Sequence, residues 1–158
     1  MTVITAERLI VEDYPATHPC GPKRTLWISK PGGLTQFGAF VEILEPGSSS
    51  SIKHWHSGED EIVYVLEGEV TLIEDKAVTQ LRPGDAATFR AGDPVGHCLE
   101  NRSSAPTRCL VVGTRAQRDT ITYPDRDRVV HCDRSQPGNR QDVWTDGEGR
   151  PATNAYDD

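Results

Sequence analysis

The sequence predicts an all-β fold, a sandwich or a barrel built from many short antiparallel strands. Apolar residues fall in short runs such as 62–66 and 109–112, which have the length of strands rather than of helices. Fourteen glycines and eleven prolines punctuate the 158-residue chain between such runs, as is typical of sheets joined by tight turns. This length suits one domain with a real core and is too short for two ordinary domains.

The distribution of these runs predicts three regions. Residues 1–33 contain four prolines and a Gly-Gly pair, which suit an arm that wraps the edge of a sheet. Residues 34–115 hold the convincing strands and are the predicted barrel. Residues 116–158 turn polar and rich in Gly, Pro, Asn and Asp, so we expect an extended polar tail that packs on the barrel or on a partner subunit.

Turn residues place the individual strands. Pro46-Gly47 and Pro83-Gly84 supply the backbone angles of tight turns. Gly68 interrupts an otherwise strand-like run, which predicts a bulge or a close approach of backbone. Between these signals the expected strands are 34–44, 52–56, 61–66, 70–74, 77–81, 86–89, 98–101 and 108–113, with a further strand over 24–29.

Charge and composition exclude two classes of partner. The net charge of −7 argues against a nucleic-acid binder, because phosphate contacts need clustered Lys and Arg. The sequence contains neither a membrane-length apolar stretch nor a secretory pattern at its start, so we expect a cytoplasmic protein. The four cysteines form no C-x-x-C pair, and in that compartment free thiols are expected rather than disulfides.

Three histidines and a glutamate indicate a metal site. His54 and His56 are two residues apart, so on a strand both side chains point to the same face while Trp55 points away. Glu61 follows five residues later, and His97 supplies a third imidazole. Nitrogen and carboxylate ligands of this kind suit divalent transition metals. The other two histidines, His18 and His131, receive no role.

These residues carry a resemblance to the cupin family. The run of Gly47, His54-Trp55-His56, Glu61 and Gly68 resembles the first cupin motif, and the segment from Gly84-Asp85 through His97 to Asn101 resembles the second. The resemblance covers about residues 36–113, and segments 112–115 and 122–125 are similar to a subgroup of small bacterial single-domain cupins. Three details depart from the family pattern: one extra residue before His54, Arg90 in place of a proline, and two extra residues before His97.

The resemblance implies a double-stranded β-helix, a small jelly-roll barrel with the metal inside its open end. Its metal ligands correspond to His54, His56, Glu61 and His97. They would hold one divalent ion per chain: Fe, Mn, Ni, Co, Cu or Zn. The resemblance also implies a homodimer, joined through sheet edges or exchanged terminal segments.

Three further residues are candidate substrate contacts, each with an alternative interpretation. Asn101 shares a strand face with His97 and either orients a ligand or caps the following turn. Arg90 either grips an anionic substrate through a bidentate contact or is a solvated surface residue. Gln36 precedes the ligand strands and is a candidate cavity-lining residue.

Two classes of function remain open. The first is a metal-dependent enzyme on a small organic substrate, either a dioxygenase or an isomerase, epimerase or lyase of a sugar-like or carbonyl compound, with Glu61 as ligand or general base. The alternative is a non-catalytic binding or sensory protein with a structural metal. A sugar-phosphate isomerase would need a basic pocket, for which the nearby candidates in sequence are Lys53, Arg90 and Arg102.

Overall fold

Antiparallel β-strands build this protein, in agreement with the predicted all-β class. The computed structural model describes residues 2–136 and 138–157. Its strands are β1 Ile10–Tyr14, β2 Lys23–Trp27, β3 Phe37–Leu44, β4 Trp55–His56, β5 Glu61–Glu67, β6 Val70–Glu74, β7 Ala77–Leu81, β8 Ala86–Phe89, β9 His97–Glu100, β10 Thr107–Thr114, β11 Arg118–Tyr123, β12 Arg128–Gln136 and β13 Asn139–Thr145. The helices are single turns: α1 at Ser29–Gly32 and 3₁₀ turns at Ala6–Arg8 and Pro124–Arg126.

The strands form three antiparallel sheets. The largest has the order β1-β2-β3-β10-β5-β8, the second β13-β12-β11-β4, and the third β7-β6-β9. The hairpin β6–β7 and strand β8 have the predicted bounds. The predicted strand 52–56 is shorter, since only Trp55–His56 pairs as a strand, and His54 instead makes an isolated bridge to His97.

The main core lies between the six-stranded and the three-stranded sheets. Its buried side chains come from inward-facing positions of both sheets, including Leu44, Val63, Val65, Val70 and Leu99. In β5 the alternation is complete, because Val63 and Val65 are buried while the side chains between and beside them are exposed. This period of two is the pattern expected of a sheet with one face on the core.

The first and last regions of the chain are ordered into sheet. The predicted arm contributes β1 and β2, which extend the largest sheet beyond β3. The predicted polar tail is extended, but as the paired strands β11, β12 and β13. These strands have a core cluster of their own, with Ile121, Tyr123, Val130, Cys132 and Ala155 buried.

Three smaller expectations have clear outcomes. Gly68 has φ +75°, and a Cβ there would lie 2.9 Å from the carbonyl oxygen of Pro106, so it marks the predicted close approach of backbone. All four cysteines are free and buried. No helix in the described part of the chain is long and apolar enough to span a membrane.

Candidate metal centre and cavity

A cavity of about 1100 Å³ opens between the sheets. Its wall includes residues of the largest sheet, of β9 and of the C-terminal strands. The four motif residues all line it: His54, His56, Glu61 and His97. The cavity is therefore the space that these side chains share.

Strand pairing brings the motif residues together. His54 and His97 exchange backbone hydrogen bonds of 3.1 and 2.9 Å across their bridge. The ring centroid of His54 lies 5.0 Å from that of His56 and 5.2 Å from that of His97. Glu61, the first residue of β5, has Oε1 4.0 Å from Nε2 of His97.

The same ring nitrogen is engaged in all three histidines. Nδ1 of His54 lies 2.9 Å from the carbonyl oxygen of Ile52, and Nδ1 of His97 lies 3.4 Å from that of Val95. Nδ1 of His56 lies 2.6 Å from Oδ2 of Asp119. Because each of these acceptors is an oxygen, Nδ1 carries the hydrogen and Nε2 keeps its lone pair.

Nε2 of His97 is buried and has no hydrogen-bond partner within the described residues. Burying a polar atom without a hydrogen-bond partner costs free energy. Nε2 of His97 therefore needs a partner that the described residues do not supply. The ring itself is held firmly, because it stacks on Phe89 with centroids 3.6 Å apart and planes 3° from parallel. The lone pair of His97 is thus fixed in direction and available to a ligand.

Burial sets the charge state of this group. Burial lowers the pKa of His54 to about 3, with His56 and His97 adding to the effect. Burial likewise lowers the pKa of His97 to about 4 and raises that of Glu61 to about 7. Neutral imidazoles are the form that binds metals, so burial favours the metal-binding form of His54 and His97, whereas the raised pKa of Glu61 means that its carboxyl group holds a proton more readily than usual.

The kinds of donor in this set, three imidazoles and a carboxylate, suit a divalent ion. Ligand atoms about 2.0–2.2 Å from one ion lie roughly 3–4 Å apart, and the 4.0 Å between Glu61 and His97 meets that spacing. In histidine–metal sites the second ring nitrogen is usually hydrogen-bonded to an oxygen, as it is in all three imidazoles here. A second group, His56, Glu59 and Asp119, has possible ligand atoms that all lie within 4.8 Å of one another, whereas in the described part of the chain no three of the four motif residues meet that limit.

Protein donors already occupy the two carboxylates of this second group. Asp119 accepts from the N–H of Gly58 at 2.8 Å as well as from His56. Burial alone would raise the pKa of Asp119, but the hydrogen bonds from His56, Gly58 and Ser57 outweigh it and bring the pKa to about 2. Asp119 is therefore a charged partner that orients the His56 ring.

Sequence reasoning did not identify Asp119 or Glu59. Asp119 lies on β11, which pairs with β4, and this pairing sets it beside His56 from 63 residues away. Glu59 was passed over in a loop next to Glu61, yet it is only 4% exposed. The available signal was weak: a buried carboxylate in a polar loop cannot be told from its solvated neighbours by pattern.

The predicted substrate contacts lie in three different places. Arg90 is exposed and borders a separate pocket of about 70 Å³ beside Phe89 and His97. Gln36 is exposed, and its backbone carbonyl accepts from the N–H of Arg115. Asn101 is buried, and its amide nitrogen donates to the carbonyls of Leu44 and Ala105 at 2.8 Å each.

The arginines that line the cavity come from the end of the barrel and beyond it. They include Arg115, Arg134 and Arg140. Arg134 and Arg115 contact Glu59 at 2.7 and 3.3 Å, and Arg140 contacts Asp142 at 2.7 Å. None of the three was among the basic residues that the sequence suggested, because each reaches the cavity only through the fold.

Comparison with known proteins identifies relatives of this arrangement. The family model described as a cupin domain matches residues 40–113. A crystal structure described as a sugar phosphate isomerase from a cupin superfamily, from Silicibacter pomeroyi, is 36% identical, with a TM-score of 0.84, and the match covers 96% of this chain and 97% of that one. Among curated proteins, none matches this chain.

Two further solved structures are similar. One, from Acidithiobacillus ferrooxidans, is 25% identical with a TM-score of 0.79, and the match covers 96% of each chain. A polyketide cyclase from Streptomyces resistomycificus is 25% identical with a TM-score of 0.57, over 73% of this chain and 80% of that one. The shared fold is the double-stranded β-helix that the motifs implied. The chain belongs to the cupin superfamily.

Proposed function

We propose that this protein is a divalent-metal-dependent isomerase of a small sugar-like carbonyl compound. The observation that carries the metal site is that three imidazoles line one cavity with Nδ1 bonded to oxygen, and that within the described residues Nε2 of His97 is buried without a hydrogen-bond partner. The proposed ligands are His54, His56, His97 and Glu61. A divalent ion held there would supply Lewis-acid chemistry at a carbonyl or hydroxyl oxygen of the substrate.

Glu61 is the proposed proton carrier as well as a ligand. Among the described residues that line the cavity, it is the carboxylate that accepts no hydrogen bond, whereas Glu42 is paired with Lys23 at 2.9 Å and Glu59 with Arg134. A carboxylate free of such contacts can turn toward a substrate carbon and take a proton. Its position at the start of β5 sets it beside the imidazoles.

The cavity and one relative support the substrate class. A volume of about 1100 Å³ accommodates a sugar-sized molecule with room to enter and leave. The relative from Silicibacter pomeroyi is described as a sugar phosphate isomerase and aligns over nearly the whole of both chains. The arginines lining the cavity are the basic pocket that such a substrate requires.

The test combines metal analysis with an isomerase assay. The purified protein is loaded with one metal at a time and incubated with aldose and ketose phosphates and their unphosphorylated forms in D₂O. We expect metal-dependent isomerisation with deuterium entering next to the carbonyl, lost on chelation and restored by metal. A stoichiometric metal with no isomerisation, but with substrate-dependent oxygen uptake, would replace the isomerase with the dioxygenase alternative.

The homodimer stays a prediction. Light scattering of the protein at micromolar concentration tests it directly, and a mass of one chain at low salt would contradict it. Metal loading is followed in the same samples, so that assembly and metal content are measured independently.

A further inference from the structure

The guanidinium of Arg115 has donors that the protein does not use. Its Nη1 donates to Oε2 of Glu59 at 3.3 Å and to the carbonyl of Thr114 at 3.4 Å. Within the described residues, its Nε and Nη2 donate to no acceptor. The side chain lines the cavity and is 30% exposed. Nη1 is thus held, whereas Nε and Nη2, which lie over Gly38, have no acceptor among the described residues.

Gly38 makes room for this guanidinium. A Cβ at Gly38 would lie 2.6 Å from Cζ of Arg115, so a side chain there would displace the group. The backbone of Gly38 does not have a positive φ, which means that its conformation alone does not call for glycine. The need for glycine at position 38 is therefore explained by the guanidinium of Arg115, which occupies the place of a side chain there.

A second glycine, Gly113, lies between the guanidinium of Arg115 and the candidate metal ligand Glu61. Gly113 on β10 pairs with Gly38 on β3 and with Glu61 on β5. A Cβ at Gly113 would be 3.8 Å from Nη1 of Arg115 and 3.8 Å from Oε2 of Glu61. Neither glycine places a side chain on the sheet here, so Arg115 and Glu61 border the same space beside Gly113.

The backbone and Glu59 hold Arg115 in place. Its N–H donates to the carbonyl of Gln36 at 3.0 Å. Glu59, which is buried, also accepts from Arg134 at 2.7 Å and from the N–H of Ala116 at 3.0 Å. Because Glu59 is anchored on that side, it fixes Nη1 of Arg115 without covering Nε and Nη2. A pre-positioned guanidinium loses less entropy when it binds.

We infer that Arg115 is the anion-binding residue of this cavity and takes a phosphate or carboxylate group of the substrate. The free Nε and Nη2 edge matches two oxygens of such a group. The rest of a short substrate would then reach toward Glu61 and the imidazoles across the bare glycines. The reaction rests on the proposed isomerase, but the binding of an anion does not.

Calorimetry with simple anions tests the site without knowledge of the substrate. Glycerol 3-phosphate, lactate and uncharged glycerol are titrated into metal-loaded and metal-free wild-type protein, Arg115→Gln, Arg115→Lys and Gly38→Ala. We expect at least one anion to bind the wild type and glycerol to bind nothing. Arg115→Gln should weaken the binding of that anion at least tenfold. Gly38→Ala should weaken it several-fold, since the added methyl group displaces the guanidinium rather than removing it. Arg115→Lys should recover only part of the loss, because an ammonium cannot form the bidentate contact.

Two controls match the two kinds of change. Arg82→Gln removes an exposed arginine that contacts Glu69, and Gly32→Ala adds a Cβ that would meet only Leu34 at 3.6 Å. Both should bind anions as the wild type does. Preference for glycerol 3-phosphate assigns the site to phosphate, and preference for lactate to carboxylate.

Metal content, measured on every sample, separates this inference from the proposed function. If the wild type binds no metal but binds an anion in a way that depends on Arg115, the proposed isomerase is wrong and the anion site stands. An unchanged dissociation constant in Arg115→Gln, or no anion binding by the wild type at millimolar concentration, overturns the inference.

Discussion

Two sides of the cavity differ in whether their polar groups have partners within the protein. The histidine side is formed by His54, His56, Glu61 and His97, which are buried or half-buried. The Nδ1 atoms of its three imidazoles are bonded to oxygens, and Nε2 of His97 has no hydrogen-bond partner among the described residues. The arginine side, formed by Arg115, Arg134 and Arg140, consists of charged groups that are already paired with carboxylates. The first side therefore holds an unpartnered imidazole nitrogen, whereas on the second side carboxylates hold the guanidinium groups and leave Nε and Nη2 of Arg115 without an acceptor among the described residues.

Removing a ligand from the histidine side should produce the largest effect. In His97→Gln the ring nitrogen that has no partner is gone, while a polar side chain of similar reach remains. We expect metal affinity to fall by at least about a hundredfold, since outer-shell partners alone are worth 10–100-fold. Competition dialysis against a chelator measures this. His131→Ala is the control, because His131 is exposed and its ring contacts Thr120; equal metal loss in both variants would contradict the assignment.

Changing the orienting carboxylate should have the next largest effect on the same side. Asp119→Asn presents an amide to Nδ1 of His56 and weakens the charge-assisted bond that fixes the ring. We expect metal affinity to drop by about 10–100-fold, together with some loss of thermal stability, because the hydrogen bonds that lower the pKa of the Asp119 carboxyl stabilise its charged form. Asp133→Asn, at an exposed carboxylate that contacts Arg118, should leave the affinity unchanged. If Asp119→Asn binds metal as tightly as the wild type, Asp119 does not position His56.

On the arginine side, the expected loss is in stability rather than in metal binding. Glu59→Gln leaves Arg134 and Arg115 without their shared buried carboxylate. We expect the free energy of unfolding to fall by about 3 kcal/mol, the lower end of the cost of removing one partner of a buried pair, because both arginines keep some access to solvent; metal content should be retained. Denaturant unfolding measures the change. Glu67→Gln, at an exposed pair with Arg108, should cost less than about 1 kcal/mol, and an equal cost at both sites would contradict the distinction.

The thiols behind the two sides should both react slowly. Burial raises the pKa of Cys109, in the main core, to about 12 and that of Cys132, in the C-terminal cluster, to about 11. Because the thiolate is the reactive form, both should alkylate slowly at pH 8, with rates rising about tenfold per pH unit. Timed N-ethylmaleimide labelling and peptide mass spectrometry measure this. Rapid labelling of Cys109 in the native protein would show that it is not buried.

Local pattern predicted most of the barrel. Strands 70–74, 77–81 and 86–89 have their predicted bounds because each is a short apolar run closed by turn residues. The strand carrying His54 was overestimated, since the chain before Trp55 is held by isolated bridges rather than by a continuous ladder. The region after residue 115 was predicted as a tail because its polar composition hides the alternation of Ile121 with Tyr123 and of Val130 with Cys132, which build a second core.

The sequence by itself determined the strand pattern and the four motif residues, because both depend on spacings of a few residues that strand geometry turns into faces. Only the tertiary structure decided which groups complete the site. Asp119 meets His56 across 63 residues, and Arg134 meets Glu59 across 75. Such contacts arise from the pairing of distant strands, and one residue of register would turn each side chain to the other face of its sheet. The arginine side was therefore invisible until the sheets were assembled.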